Sequence, residues 1–181
     1  MLSKLFFPER AGRHRTASAL YHDLNSAARK PWLFIEGGIP DTIEGRFHAV
    51  ALHAALLLPE LERRKPEGPK HSEAVYIMIF DGFDAALREK GVGDASIARR
   101  IRKMGETFFG LGQSIQAALK EADAPKALRD VLRRNAICEP SAQPLVASYL
   151  QTAHEKLGNL ADDELLNGRS GLASVDKSSV G

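Results

Sequence analysis

Few residues in this chain have the type and spacing to do chemistry. His48 and His53 share one apolar stretch, but a separation of five residues turns them about 140° apart around a helix, so one turn cannot offer both to a metal. Asp81 and Asp84 share a helix face, and with Arg88 following they form a salt-bridged surface rather than a cation site. Cys138 stands just before a proline turn with no histidine beside it, the setting of a buried or incidental thiol rather than a nucleophile. Gly91-Val92-Gly93 lacks the third glycine and the preceding strand of a phosphate loop, and neither H-E-x-x-H nor C-x-x-C occurs. The residues therefore predict no catalytic site, no metal and no cofactor.

What remains is charge. Arg99, Arg100, Arg102 and Lys103 fall together on one side of a helix, a positive face suited to an acidic protein, phospholipid headgroups or RNA. The competing expectation is a solvated face in which Arg102 and Lys103 pair with Glu106. Arg46 and His53 lie two turns apart on nearly one stripe of an apolar helix. A guanidinium there needs a partner, either an acid such as Asp84 or a group on a bound protein.

These residues need elements to hold them, and the spacing of apolar side chains supplies helices. In the stretch from Asp41 to Leu61, Ile43, Phe47, Val50, Ala54, Leu57 and Leu61 fall on one side of a helix and Ala49, Leu52 and Leu56 on the other. A helix apolar on both sides must be buried on both. Asp41 or Thr42 caps its start. Pro59 cannot donate to the carbonyl of Ala55, so a kink or a break near the end is expected. Further helices are predicted over Ala17–Lys30, Ser72–Lys90, Asp94 or Ser96 to Leu119, Pro125–Ala136 and Leu145–Leu157, with a short turn at Asp162–Leu166. Trp32–Ile35 is expected to be a packed loop, and the polar, proline-bearing run from Arg63 to His71 a connector. The result is an all-α, single compact domain of about six or seven helices around a buried central helix. Residues 1–16 form a basic and aromatic N-terminal arm, 17–166 the helical domain, and 167–181 a flexible tail with too few large apolar groups to offset the cost of ordering it.

Composition narrows the class. A hydrophobic fraction of 44% and a charged fraction of 27% describe an ordinary globular chain, and the net charge of +2 permits an acidic partner or membrane surface without demanding one. The run from Ala49 to Leu58, broken by His53, is about half of the roughly 20 residues a membrane span requires. A single cysteine and the lack of a signal-like start fit a reducing, cytoplasmic setting.

Two blocks resemble the ubiquinol-cytochrome c chaperone family, assembly factors of the respiratory cytochrome bc1 complex. They are DTIEGRFHAVALHAALLL at 41–58 and FDGFDAALREKGVGDASIARRIRKMGETFFG at 80–110. The family-like positions are Asp41, Gly45, Arg46, Phe47 and His53 in the first, and Asp81, Asp84, Arg88, Gly91, Val92, Gly93, Asp94, Lys103, Met104 and Phe108 in the second. The resemblance implies a non-enzymatic chaperone that binds newly made cytochrome b until haem insertion and assembly proceed. In a bacterial form it would act at the inner face of the cytoplasmic membrane, in peripheral contact with anionic lipid and with no specific nucleic acid. Partner contacts are then expected from Arg46, His53, Asp81, Asp84, Arg88, Asp94, Arg99, Arg100, Arg102 and Lys103, with the central helix and the helix from Ser72 walling an apolar groove rimmed by Arg46, Asp84 and Arg88. Two other classes stay open: a helical haem or quinone carrier with His53 as the axial ligand, and a nucleic-acid module using the basic face.

Overall fold

In the computed structural model, which describes residues 7–179 and the side chains of 12–179, every element is helical among the described residues. α3 (Ile43–Arg63) is the axis. Thr42 caps it, its hydroxyl accepting from the Gly45 N–H at 3.1 Å. Gly45 is required there, because a Cβ would stand 1.8 Å from the Pro40 carbonyl oxygen. As its two apolar sides demand, α3 is covered by α1 (Phe7–Ala28), α4 (Gly68–Glu89), α5 (Asp94–Ala118) and α7 (Gln143–Gly158). Leu52, Leu56, Leu57 and Leu61 are all buried, each contributing about 1.5–3 kcal/mol of transfer free energy. α6 (Ala124–Arg134) packs on α5 and α7, and α8 (Asp162–Leu166) follows α7.

Pro59 neither breaks nor ends α3, which continues through it to Arg63. The carbonyl that proline leaves unpaired, that of Ala55, accepts instead from the Gln116 side-chain amide at 2.8 Å. A side chain of α5 thus replaces a rung of the α3 ladder.

Several expectations are corrected. Trp32–Ile35 is not a loop but the short helix α2 (Pro31–Ile35), opened by Pro31 at a position where a missing N–H costs nothing. The connector expected over Arg63–His71 shrinks to residues 64–67, because Gly68 and Pro69 already start α4. Arg64, expected in that polar loop, is buried: it bonds Glu60 Oε2 at 2.8 Å and the Leu160 carbonyl at 3.2 Å.

Of the expected arm, residues 1–6 lie outside the described residues, as do the side chains of 7–11, and 7–16 belong to α1. The expected tail is ordered through residue 179. Leu172 and Val175 are fully buried against the core. Asp23 on α1 holds them there, accepting from the backbone N–H groups of Leu172 at 3.1 Å and Ala173 at 3.2 Å and from the Ser170 hydroxyl. Lys30 donates to the Val175 carbonyl, and Lys177 pairs with Glu36. Two apolar side chains and one carboxylate replace the large apolar content whose absence suggested mobility.

Candidate functional site

α4 and α5 leave one another through a tight turn that needs a left-handed residue, and Gly91 supplies it at φ 74°. Arg88 staples that turn, its Nε 2.5 Å from Asp84 and an Nη 2.6 Å from Asp94. Both hydrogen bonds raise the guanidinium pKa further. Beyond the turn an aromatic cluster ties both helices to α3. Phe108 is its hub, 5.6 Å from Tyr76, 5.4 Å from Phe80 and 6.5 Å from Phe47 between ring centroids, with Phe83 against Phe47 at 5.4 Å.

Past Phe108 the two helices do not close. They leave a hollow of about 650 Å³ floored by Leu58 and Pro59 and walled by Tyr76 and Phe109, with charged groups (Glu62, Arg63, Glu73, Lys120) along its edge. A second hollow of about 270 Å³ lies between α3 and α5, formed by Ala54, Ala55, Gly112 and Gln113, again with Phe109. Phe109 is therefore a ridge between two apolar depressions, and it is 66% exposed. The rest of this wall is held from beneath by the Gln116 bond to Ala55.

Sequence reasoning missed Phe109, although the doublet Phe108-Phe109 carried the signal. Neighbouring residues on a helix diverge by about 100°, so both rings cannot face one core.

The expected contact residues separate into groups. Arg99, Arg100, Arg102 and Lys103 are all exposed, and none forms an ion pair with Glu106 or another acid among the described residues. The solvated pairing expected for Arg102 and Lys103 is absent there. Arg100 and Lys103 also border a third apolar hollow of about 290 Å³ beside Phe47 and Met104. Arg46 is half exposed, with its partner Asp41 at 2.6 Å rather than Asp84, and its guanidinium lies over the Phe34 ring at 5.3 Å. Asp81 is exposed, and Asp84 and Asp94 are engaged with Arg88. Arg46, Asp84 and Arg88 do not line the hollow on either side of Phe109.

His53 is no surface contact. It is fully buried, and both ring nitrogens are used. Nδ1 lies 2.7 Å from the Ala49 carbonyl and must donate to it, which leaves Nε2 to accept from the Tyr149 hydroxyl at 2.7 Å. Burial pulls its pKa down to about 4 and pushes that of Tyr149 up. A haem iron would find no free nitrogen on it. Cys138 is likewise buried, its thiol pKa pushed up to about 11 by burial and by Glu139.

The comparisons with known proteins agree with this fold. The family model described as ubiquinol-cytochrome C chaperone matches residues 36–173. A crystal structure of the Cbp3 homolog from Brucella abortus superposes with a TM-score of 0.81 at 25% sequence identity, covering 97% of this chain and 100% of that one. No curated protein matches. The matched span takes in the central helix, the Phe109 ridge and the basic face of α5, and the chain belongs to the ubiquinol-cytochrome c chaperone family.

Proposed function

We propose that this chain, within the bc1-assembly role of its family, holds newly made cytochrome b by seating one of its apolar helices in the hollows that flank Phe109. One observation carries this: an aromatic ring two-thirds exposed between two apolar depressions, on a wall fixed by buried packing. Size supports it. One turn of a helix about 10 Å across and 5.4 Å tall fills roughly 420 Å³, and the larger hollow holds about 650 Å³. An unassembled membrane client presents such helices, and an apolar groove with a charged edge is how they are shielded.

The role needs no catalysis by the chain. It acts at the inner face of the cytoplasmic membrane as a peripheral protein, with Arg99 and Arg102 toward anionic headgroups, each worth about 1 kcal/mol near the surface. No helix among the described residues is long and apolar enough to cross a membrane.

The test is capture of cytochrome b from native-host membranes by tagged wild type and by Phe109→Asp, a change on an exposed side chain. Capture is expected to fall to a small fraction of wild type. Reduced-minus-oxidised spectra of a deletion strain should lose cytochromes b and c1 together, and Phe109→Asp should fail to restore them. Undiminished capture and full restoration by Phe109→Asp would remove the ridge from the client site.

A further inference from the structure

We infer that the hollow between the N-terminal half of α3 and the middle of α5 takes one acyl chain of an anionic membrane phospholipid, with the headgroup held by Arg100 and Lys103. This deepens the membrane placement above and rests on it for the source of the lipid; it does not depend on the cytochrome b site.

The hollow is apolar below and positive above. Phe47 and Leu87 form its floor, 3% and 1% exposed, with Ile43 and Met104 as its sides. Arg100 and Lys103 belong to the same hollow but are themselves exposed, so their charges reach solvent at its edge. Neither is neutralised by an ion pair among the described residues. Glu44, in the first turn of α3, is the one carboxylate facing the hollow, and His48 is its remaining titratable neighbour. Two cations therefore stand against one acid.

Volume chooses the occupant. At about 290 Å³ the hollow is smaller than the roughly 420 Å³ of one helical turn. Unlike the hollow of about 270 Å³ beside Phe109, it shares no lining residue with the larger one of about 650 Å³, so it offers no continuous seat for a client helix. It lies at the low end of small-ligand sites, where a single slender chain can be buried. An apolar depression alone would accept any hydrocarbon; the net positive charge at its edge, two cations against Glu44, selects an anionic head over a zwitterionic one.

The chain has three methionines, Met1, Met78 and Met104, so methyl-labelled methionine reports the hollow directly by NMR. Lysophosphatidylglycerol, added to the full chain below its micelle concentration, should shift the Met104 methyl resonance saturably and leave Met78 in place. Lysophosphatidylcholine should bind far more weakly. Arg100→Gln/Lys103→Gln should weaken binding roughly thirtyfold, from two surface charges at about 1 kcal/mol each. Thr107→Trp, which fills the hollow and keeps the Met104 reporter, should abolish the shift while the protein still sediments with vesicles of phosphatidylglycerol and phosphatidylcholine.

A stationary Met104 resonance at saturating lysolipid would overturn the inference, as would wild-type lysolipid binding by either variant. Displacement of the lysolipid by glycerol 1-phosphate alone would do the same, since the site would then read phosphate and not a chain. Failure of the wild type to sediment with vesicles would instead remove the membrane placement, and cytochrome b capture by Thr107→Trp tests the client site separately.

Discussion

Lowering the pH from 7 to 5 should destabilise this protein by about 2 kcal/mol through His53 alone. In the folded chain burial holds its pKa near 4, against 6.5 for the free side chain. The unfolded state therefore binds the proton more readily, so stability is fully present above about pH 6.5 and is lost as pH falls toward 4. At pH 5 the unfolded imidazole has gained most of a proton and the folded one almost none. The gap between 6.5 and 5 at 1.36 kcal/mol per unit gives about 2 kcal/mol, rising to about 3 below pH 4. Urea unfolding followed by circular dichroism at both pH values measures it. His48 and His71 are shifted the same way by burial, so the wild-type slope includes them. His53→Gln isolates the contribution: it should lower stability at pH 7 yet flatten the pH dependence by about 2 kcal/mol. Equal losses in wild type and His53→Gln between pH 7 and 5 would show that this imidazole is not held neutral by its surroundings, and the reasoning would fail.

Three further outcomes follow from particular contacts. Gln116→Leu should cost about 1 kcal/mol by orphaning the Ala55 carbonyl, and Pro59→Ala, which restores the α3 rung, should cancel most of that loss in a double-mutant cycle by chemical denaturation. Arg64→Met removes one of the two guanidinium partners of the buried Glu60 carboxylate and leaves Arg63 on the other oxygen; it should cost about 2 kcal/mol, whereas Arg64→Met/Glu60→Met should recover part of it, read as thermal midpoints. Leu172→Ala should cost about 2–4 kcal/mol in the same assay, a large effect for a residue so far from the central helix; a loss below about 0.5 kcal/mol would mean the segment is not part of the cooperative unit.

The central helix was plain in the sequence because burial on two sides leaves a pattern no surface helix has, as Phe47, Val50 and Leu57 against Leu52 and Leu56 demonstrate. The basic face was plain for the opposite reason, since Arg99, Arg100, Arg102 and Lys103 have no apolar duty. His53 was misjudged because a polar residue in an apolar stripe looks functional until its partner is seen, and that partner, Tyr149, is 96 positions away. The last segment was hidden similarly: Leu172 and Val175 look sparse until Asp23 supplies the bonds that hold their backbone. Gly68-Pro69 looked like loop chemistry, yet glycine and proline also serve a helix start that approaches a neighbour closely, and a Cβ at Gly68 would lie 2.0 Å from the Leu61 carbonyl. The Phe109 hollows were legible only in part, because the gap depends on how α4 and α5 sit past Phe108, which no local pattern encodes.

The clasp of Asp23 on Leu172 and Ala173 also sets an order of events during synthesis. Its partners are 149 and 150 positions apart, and at about 5–20 residues per second that separation amounts to roughly 8–30 s of translation. For that interval the face of α1 that receives Leu172 stands open on the ribosome, with α3 already emerging. The native packing of the first helix is thus completed only after nearly the whole described chain has been made. An assembly chaperone is, for that time, itself a nascent chain with an uncovered core.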